Sequence, residues 1–287
     1  MLQLDRILFP VDFSQRCMAA APHVMTMARD FNAEVTMLHV LEAPPLWYGE
    51  FGTAELGAAD AEQMAAARRE ALDRYLTSEL PADAGVARVV ERGEPASTIT
   101  GYARHHGIGL IMMPTHGYGP FRRLLMGSVT AKVLHDAECA VWTDVHDEAS
   151  FTRESRNSVV CAVDLTEESV PAMRWAAEYA RHFKAELALV HGIPALSGPV
   201  APGETRFRAY LADHARERIG ELQEKAGTAA RVCVGGGKIA DAVRCAALQQ
   251  EAEMVVIGQG HLHEALGGLR SNAYGIIRQS PCPVVRV

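Results

Sequence analysis

The chain has 287 residues, a formal net charge of −7, and 48% hydrophobic residues. That length suits one large domain or two of ordinary size, and the apolar content is enough for a buried core. No apolar run approaches the roughly 20 residues of a membrane span, and no basic tract favours nucleic acid as a partner, so we expect neither.

The cysteines of the chain are scattered, and none of them forms a CxxC pair. The first residues show no signal-peptide pattern, so we interpret these cysteines as buried thiols of a cytoplasmic protein in a reducing compartment. They are Cys17, Cys139, Cys161, Cys233, Cys245 and Cys282.

Strand and helix patterns alternate along the first half of the chain. A strand over 5–11 ends at Asp12, and Ser14 caps a helix that runs to about Asp30. Pro22 inside this helix predicts a kink or a late start. The later elements are a strand at 33–42, a loop at 43–62, a helix at 63–80 with Leu72, Leu76 and Leu80 on one face, a strand at 87–93, a helix at 94–107, a strand at 108–114, a helix near 128–136 and a strand at 140–145.

The second half of the chain repeats the first. "RILFPVDFSQRCMAAA" (6–21) matches "SVVCAVDLTEESVPAM" (158–173), and "ARDFNAEVTMLHVLEAP" (28–44) matches "ARHFKAELALVHGIPAL" (180–196). Two further matches follow in the same order, which indicates a duplication. The polar stretch at 145–157 separates the copies, so we expect one domain at 1–146 and another at 156–287.

The second copy follows the same plan as the first. We expect its long helix to place Leu211, Ala215, Ile219 and Leu222 on one face, and its strands to lie at 158–163, 185–191, 230–235, 253–258 and 283–287. Near-continuous apolar strands separated by helices predict an α/β fold, with a doubly wound parallel sheet in each copy and helices on both of its faces.

Three strands of the first copy end at residues suited to a ligand. In a doubly wound sheet, ligands bind outside the carboxyl ends of the strands, where the strand order reverses. Asp12 ends the first strand, Val40 ends the second, and Gly117 follows the fourth. Asp12 can accept from an amine or a ribose hydroxyl, and Gly117 permits close backbone approach.

The segment after the fourth strand has the features of an anion site. Gly127 and Ser128 begin a helix whose free N–H groups and positive dipole end suit an anion. Arg122 and Arg123 precede it and have the reach for a phosphate tail. Taken singly, each of these features is also typical of an ordinary turn, helix cap or solvated loop.

Three motifs carry a resemblance to a known family. The duplicated V-D-x-[ST], the A-E-[VL]-x-[ML]-x-H, and T-H-G…G-S-V-x-x-K-V-L-x-x-A-x-C resemble the universal stress protein family, and two copies resemble its tandem members. The resemblance implies a five-stranded sheet of order 3-2-1-4-5 in each copy and a regulatory, stress-response function. Its ATP-binding branch is marked by Gly, two residues, Gly, nine residues, Gly, then Ser or Thr.

The resemblance also implies a site for ATP or another adenine nucleotide in the first copy, with or without magnesium. Asp12 and Val40 would flank the adenine, and Gly117, Gly127 and Ser128 would hold the ribose and phosphates. The full set of implied binding residues is Pro10, Val11, Asp12, Val40, Met113, Pro114, His116, Gly117, Arg122, Arg123, Gly127, Ser128 and Val129.

Both copies depart from the family motif. Pro114 stands where the first glycine belongs, and because proline has no N–H to donate, we expect weaker or altered nucleotide binding. The second copy keeps Gly258 and Gly260, but Arg270 replaces the glycine of the Gly-Ser pair. We expect its site to be lost or modified, and this copy to act as a structural partner.

Two other functions stay open at this point. The chain is alternatively an interaction module that binds no nucleotide, with Pro114 and Arg270 marking lapsed sites. An enzyme of a sister family, such as an adenylyl transferase, would carry H-x-G-H after the first strand, where "DFSQRC" and "DLTEES" stand instead. We expect no catalytic residues and at most slow ATP hydrolysis.

Other chemistry-bearing patterns are incomplete. "VGGGKIADAV" (234–243) lacks the spacing of a phosphate-binding P-loop, and no further ligands accompany His261 and His263, so we expect no metal site.

As partners we expect an intramolecular pseudo-dimer formed by the strands at 140–145 and 283–287, with a homodimer as a further assembly and an unidentified protein as a further partner.

Overall fold

The computed structural model describes residues 2, 4–42, 58–77, 85–115, 126–144, 157–199, 203–259 and 271–287. Two compact units are present, one of residues 3–141 and the other of residues 1–2 with 142–287. The expected linker lies outside the described residues up to residue 156, so the domain limits 1–146 and 156–287 stay predictions.

The first five strands lie in the order β3-β2-β1-β4-β5. Strand β1 pairs with β2 and β4, and β2 pairs with β3, all in parallel. The elements are β1 Arg6–Pro10, α1 Gln15–Phe31, β2 Glu34–Leu41, α2 Ala58–Arg74, β3 Ala87–Arg92, α3 Pro95–His105, β4 Leu110–Met113, α4 Ser128–Asp136 and β5 Ala140–Thr143.

The second half repeats this topology in the order β8-β7-β6-β9-β10. Its paired strands are also parallel. The elements are β6 Ser158–Ala162, α5 Ser169–Phe183, β7 Glu186–Ile193, a 3-10 turn Pro194–Leu196, α6 Glu204–Ala226, β8 Arg231–Gly236, α7 Ile239–Gln249, β9 Met254–Ile257, α8 Ser271–Gln279 and β10 Val284–Arg286. The predicted α/β fold, with parallel strands and helices on both faces, is confirmed.

The central strands carry the core of each unit. Ile7, Leu8 and Phe9 of β1 are fully buried, as are Val159, Val160 and Cys161 of β6. Strands covered by helices on both faces have no solvent side, which explains why these runs are apolar without alternation.

Helix α1 begins where the sequence places its cap. The Ser14 hydroxyl accepts from the N–H of Cys17 at 3.4 Å, and Asn32 ends the helix in the left-handed region at φ 51°. The helix starts at Gln15 and runs through Pro22, so the late start considered for this helix is wrong.

Helix α2 differs from its predicted bounds. It begins at Ala58 instead of residue 63 and ends at Arg74 instead of residue 80. Leu72 and Leu76 are buried as expected, but Leu76 lies beyond the helix end with φ 55°. Leu80 lies outside the described residues.

The cysteines are not uniformly buried. Cys17, Cys161 and Cys282 are buried, and burial raises the pKa of the Cys161 thiol to about 12. Cys245 is exposed, so the prediction of a buried thiol is wrong there. Within the described part of the chain, no helix is long and apolar enough to cross a membrane.

Close packing in the second unit depends on a glycine in β7. A Cβ atom built on Gly192 would lie 2.8 Å from Cα of Ile239 and 3.1 Å from its nitrogen, both at the start of α7. Backbone atoms cannot move aside as a flexible side chain can, so only a residue without a Cβ lets α7 come this close to the strand.

We therefore expect Gly192→Ala to lower the free energy of unfolding by about 1–3 kcal/mol, the usual cost of overpacking. Urea unfolding measures this directly. The control is Gly220→Ala in α6, where an added Cβ meets nothing within 4 Å. Because alanine favours helix, that variant should be as stable as the wild type or about 0.5–1 kcal/mol more stable. Equal stability of the Gly192 variant and the wild type would show that α7 does not need this close contact.

Candidate functional site

A cavity of about 590 Å³ opens at the carboxyl ends of β1, β2 and β4 in the unit of residues 3–141. The strand order reverses between β2 and β4 on either side of β1, which is the position predicted for a ligand. The predicted site residues that line the cavity are Pro10, Val11, Asp12, Val40, Met113, Pro114, Gly127, Ser128 and Val129.

The other predicted site residues cannot be placed against this cavity. His116, Gly117, Arg122 and Arg123 lie outside the described residues, so their roles stay predictions. Thr115 is the last described residue before residues 116–125, and Met126 is the first described residue after them.

Several lining residues were missed or discounted by the sequence analysis. Neither His39 nor the walls contributed by helices α1, α2 and α3 were predicted from the sequence as parts of the site. Met64 and Arg68 lie four residues apart on α2 and therefore on one helical face, which is the sequence pattern that would have suggested a shared wall. The additional lining residues are Cys17, Leu38, His39, Leu41, Glu42, Met64, Arg68, Pro95, Ile99 and Thr130.

Asp12 is held in place by the start of α1. Its Oδ1 accepts from the N–H of Ser14 at 3.0 Å and from the thiol of Cys17 at 3.2 Å. Burial, and then the charge of Asp12, raise the pKa of the Cys17 thiol to about 12. Cys17 is therefore a neutral donor that helps to fix the carboxylate at the cavity.

The chain turns sharply after Asp12. Phe13 adopts φ 63°, in the left-handed region that non-glycine residues rarely occupy. Its ring lies 4.6 Å from the ring of His39 and 5.1 Å from that of Tyr75, and the Tyr75 hydroxyl donates to the Ser14 carbonyl at 2.9 Å. These contacts stabilise the turn that presents Asp12.

His39 joins the second strand to the end of the first. Its Nδ1 lies 2.9 Å from the Val11 carbonyl, which can only accept, so Nδ1 carries the proton. Burial lowers the pKa of His39 below its ordinary value of 6.5, and the positive charge of Arg68 lowers it further. Near neutral pH the imidazole is thus uncharged, and Nε2 is a hydrogen-bond acceptor.

Helix α4 begins at the cavity without a side-chain cap. Its N-cap is Gly127, which has φ −59° and ψ 141°. The first bond along the helix from this cap runs from the N–H of Ala131 to the Gly127 carbonyl at 2.9 Å. The N–H groups of Ser128 and Val129 precede that bond, and first-turn N–H groups have no acceptor within their own helix.

The loop before α4 is tied to β4 at both of its described ends. The N–H of Gly127 donates to the Thr115 carbonyl at 3.0 Å, and the buried Thr130 hydroxyl donates to the Pro114 carbonyl at 3.1 Å. Although Pro114 lacks an N–H, its carbonyl thus helps to hold α4 against the end of β4.

The helix starts that follow β1 and β3 are capped by side chains. Ser14 caps α1, and the carboxylate of Glu94 caps α3 by accepting from the N–H groups of Ala96 at 3.3 Å and Ser97 at 2.9 Å. These bonds, with one from Lys132, lower the pKa of Glu94 to about 2. Of the starts that follow β1, β3 and β4, α4 alone lacks a side-chain cap, which leaves its positive end to an anion.

The second unit has the same turn but a different neighbour at the strand end. His191 Nδ1 donates to the Val163 carbonyl at 2.8 Å, and Leu165 adopts φ 65°, as His39 and Phe13 do in the first copy. Oδ1 of Asp164 accepts from the Ser169 hydroxyl at 2.7 Å, where the first copy has a thiol.

Glycines stand at the second copy's strand ends where the first copy has Val40, which lines the cavity, and Glu91. Val40 pairs with Glu91 in the first sheet, whereas Gly192 pairs with Gly235 in the second. In the second copy the start of α7 lies directly against Gly192. Gly260 and Arg270 lie outside the described residues. Within the described residues, no group of His, Cys, Asp and Glu is arranged to hold a metal.

The model of the universal stress protein family matches this chain twice, over residues 3–143 and 155–287. Two universal stress proteins of Methanocaldococcus jannaschii are similar to it. One is 31% identical over 139 residues, which cover 47% of this chain and 79% of the relative. The other is 28% identical over 141 residues, which cover 45% of this chain and 87% of the relative.

Solved structures share the fold over nearly the whole chain. A universal stress protein from Archaeoglobus fulgidus has a TM-score of 0.68 at 19% identity, with 99% of this chain and 96% of that chain covered. A functionally unknown protein from Pseudomonas aeruginosa has a TM-score of 0.64 at 16% identity, with 99% and 92% covered. At these identities the likeness concerns the fold alone.

The environment of His39 predicts how the protein responds to acid. Because the pKa of His39 is lower in the folded chain than in the unfolded chain, protons bind preferentially to the unfolded chain below pH about 6.5. The contribution of His39 to stability is therefore complete above that pH and declines as the pH falls. An NMR titration should give His39 a midpoint below 6.5, with its signals assigned by their loss in His39→Gln.

The His39→Gln variant also tests whether protonation of His39 contributes to the pH dependence of the free energy of unfolding. Between about pH 7.5 and about pH 5.5, the free energy of unfolding should fall less in His39→Gln than in the wild type. A midpoint for His39 at or above 6.5 would contradict the buried, neutral imidazole described for this site.

Proposed function

Because the chain belongs to the universal stress protein family, we propose that its first domain binds ATP or another adenine nucleotide in the cavity at the carboxyl edge of its sheet. The protein would act as a cytoplasmic, stress-response regulator whose state depends on the bound nucleotide. The second domain would be a structural partner of the first, and their pairing as a pseudo-dimer stays a prediction.

The uncapped start of α4 carries this proposal. It opens on the cavity of about 590 Å³, while the starts of α1 and α3 are already capped by Ser14 and Glu94. A phosphate group would therefore accept from the N–H groups of Ser128 and Val129 and from the Ser128 hydroxyl. The positive end of the helix dipole would add to those bonds.

The other end of the cavity suits a nucleoside. Asp12 is fixed by Ser14 and Cys17, and a carboxylate oxygen has more than one acceptor site, so it would accept a ribose hydroxyl as well. Leu38, Val40 and Met113 give the cavity apolar walls for a base. Apolar walls with a few fixed polar groups are typical of small-molecule sites.

One observation favours a second candidate function. Pro114 stands where the ATP-binding branch has its first glycine, and its backbone nitrogen has no proton to donate to a ligand. On this alternative, the protein binds no nucleotide and acts by binding another protein or a second copy of itself.

ATP binding is tested by thermal unfolding of the full chain. At about 100 times the dissociation constant, a ligand that binds only the folded state stabilises it by about 2.7 kcal/mol. We expect ATP to raise the melting temperature. An unchanged melting temperature with ATP, ADP and AMP, each with and without magnesium, would favour the interaction module instead.

A substitution at the first residue of α4 tests the anion site. Ser128→Pro removes both the N–H and the hydroxyl, and proline is well tolerated at a first helical position whose preceding residue is extended, as Gly127 is. Because a charged hydrogen bond contributes about 1.5–3 kcal/mol, we expect ATP to bind roughly 10–100-fold more weakly.

Ser128→Ala is the matched control, since it removes the hydroxyl and keeps the N–H. Calorimetry should place its ATP affinity between those of the wild type and the proline variant, and all three proteins should melt alike without ligand. Equal ATP affinity in the wild type and the proline variant would remove α4 from the site.

A further inference from the structure

Arg68 of α2 supplies a cation to the wall of the cavity, and we infer that its guanidinium stacks on the base of the bound nucleotide. This inference rests on the proposed nucleotide site and assigns Arg68 as a residue that recognises the base. The side chain lines the cavity together with Met64, one helical turn earlier.

Arg68 has no salt bridge or hydrogen bond with any residue that the structure describes. Its guanidinium lies near the Phe13 ring, whose centre is 5.9 Å from Cζ of Arg68, and its charge acts on His39. Other arginines of α2 are paired, since Arg69 lies 3.8 Å from Glu62 and Arg74 contacts Glu70. Glu62 and Glu70 are thus paired with other arginines, and the planar group of Arg68 remains available to a ligand.

The second copy has an arginine at the matching distance from a buried leucine. Leu72 of α2 and Leu222 of α6 are both fully buried on their helices, and Arg68 and Arg218 each lie four residues before them. Arg218 forms a salt bridge with Glu221 and donates from Nε to the Leu165 carbonyl at 3.2 Å. The same residue type is therefore engaged in structural contacts in the second copy, whereas Arg68 makes no such bonds to the described residues and lines the cavity of the first.

The position of Arg68 points to the base and not to the phosphates. Helix α2 packs on β2 and β3, whereas α4 follows β4, on the other side of β1. Strands β2 and β4 are two inter-strand spacings of about 4.8 Å apart, so the α2 side and the α4 side of the cavity are separated by roughly 10 Å. With the phosphates at α4, the base of an extended nucleotide would lie toward β2 and Arg68.

The surroundings of Arg68 suit a flat aromatic ligand. Arginine stacks its planar group on aromatic faces, and nucleobases are stacked on guanidinium planes in the same way. Phe13 and Met64 provide apolar contact beside it, and His39 nearby is kept uncharged, so no second cation competes for the base.

Calorimetry on the full chain with two probes separates stacking from simple charge attraction. The probes are ATP and inorganic tripolyphosphate, which has the phosphates but no base. Because Arg68 is exposed without a ligand, we expect Arg68→Ala to weaken ATP binding about threefold to tenfold and to leave tripolyphosphate binding unchanged. Arg68→Lys keeps the charge but loses the planar group, so it should resemble the alanine variant.

Arg69→Ala is the matched control, because it removes an arginine one residue away that is paired with Glu62 and does not line the cavity. It should bind both probes as the wild type does. Equal weakening of ATP and tripolyphosphate in Arg68→Ala would show that Arg68 acts by charge alone and would overturn the stacking role.

The proposed function and this inference fail in different ways. Wild-type binding of ATP with unchanged affinity in Arg68→Ala would overturn only the inference. A wild-type protein that binds no nucleotide would overturn both.

Discussion

The bond from the His39 imidazole to the Val11 carbonyl is the contact on which the candidate site depends. It joins β2 to the residue that directly follows β1, and the second copy repeats it between His191 and Val163. Immediately after it, the chain passes through the left-handed region at Phe13 and Leu165. A backbone conformation that is unfavourable for both residues persists in both copies because the surrounding contacts enforce it. The turn places Asp12 at the cavity.

Much of the fold could be predicted because it follows from local rules. Buried parallel strands must be apolar throughout, so β1 and β4 are visible as runs, and Ser14 marks a helix start by its own hydrogen bond. The start of α4 at Ser128 was also predicted correctly, from the Gly-Ser pair at 127–128, although no side chain caps this helix. The beginning of α2 was missed because its alanine-rich first turn follows glycines and prolines, although alanine is the residue that most favours helix.

What could not be predicted depends on distances between segments that are far apart in the chain. The sequence "VHGI" of β7 shows a strand, but not that α7 approaches Gly192 closely enough to exclude a Cβ atom. Arg68 cannot be recognised from its neighbours either, since Glu62 and Glu70 are near it in sequence and pair with other arginines. The two copies thus share backbone turns that their sequences show, and differ at strand ends in ways that only the packed structure shows.

The absence of a side-chain cap on α4 has a consequence for how a polyanion would arrive. The attraction of a helix end fades within about one turn, whereas the repulsion from a chain of net charge −7 extends over a Debye length of about 8 Å at physiological ionic strength. A highly charged ligand is therefore repelled by the net charge at a distance, and the helix end and Arg68 attract it only near the cavity. Added salt would screen the repulsion and quicken association, the reverse of the behaviour of proteins that steer anions with surface cations.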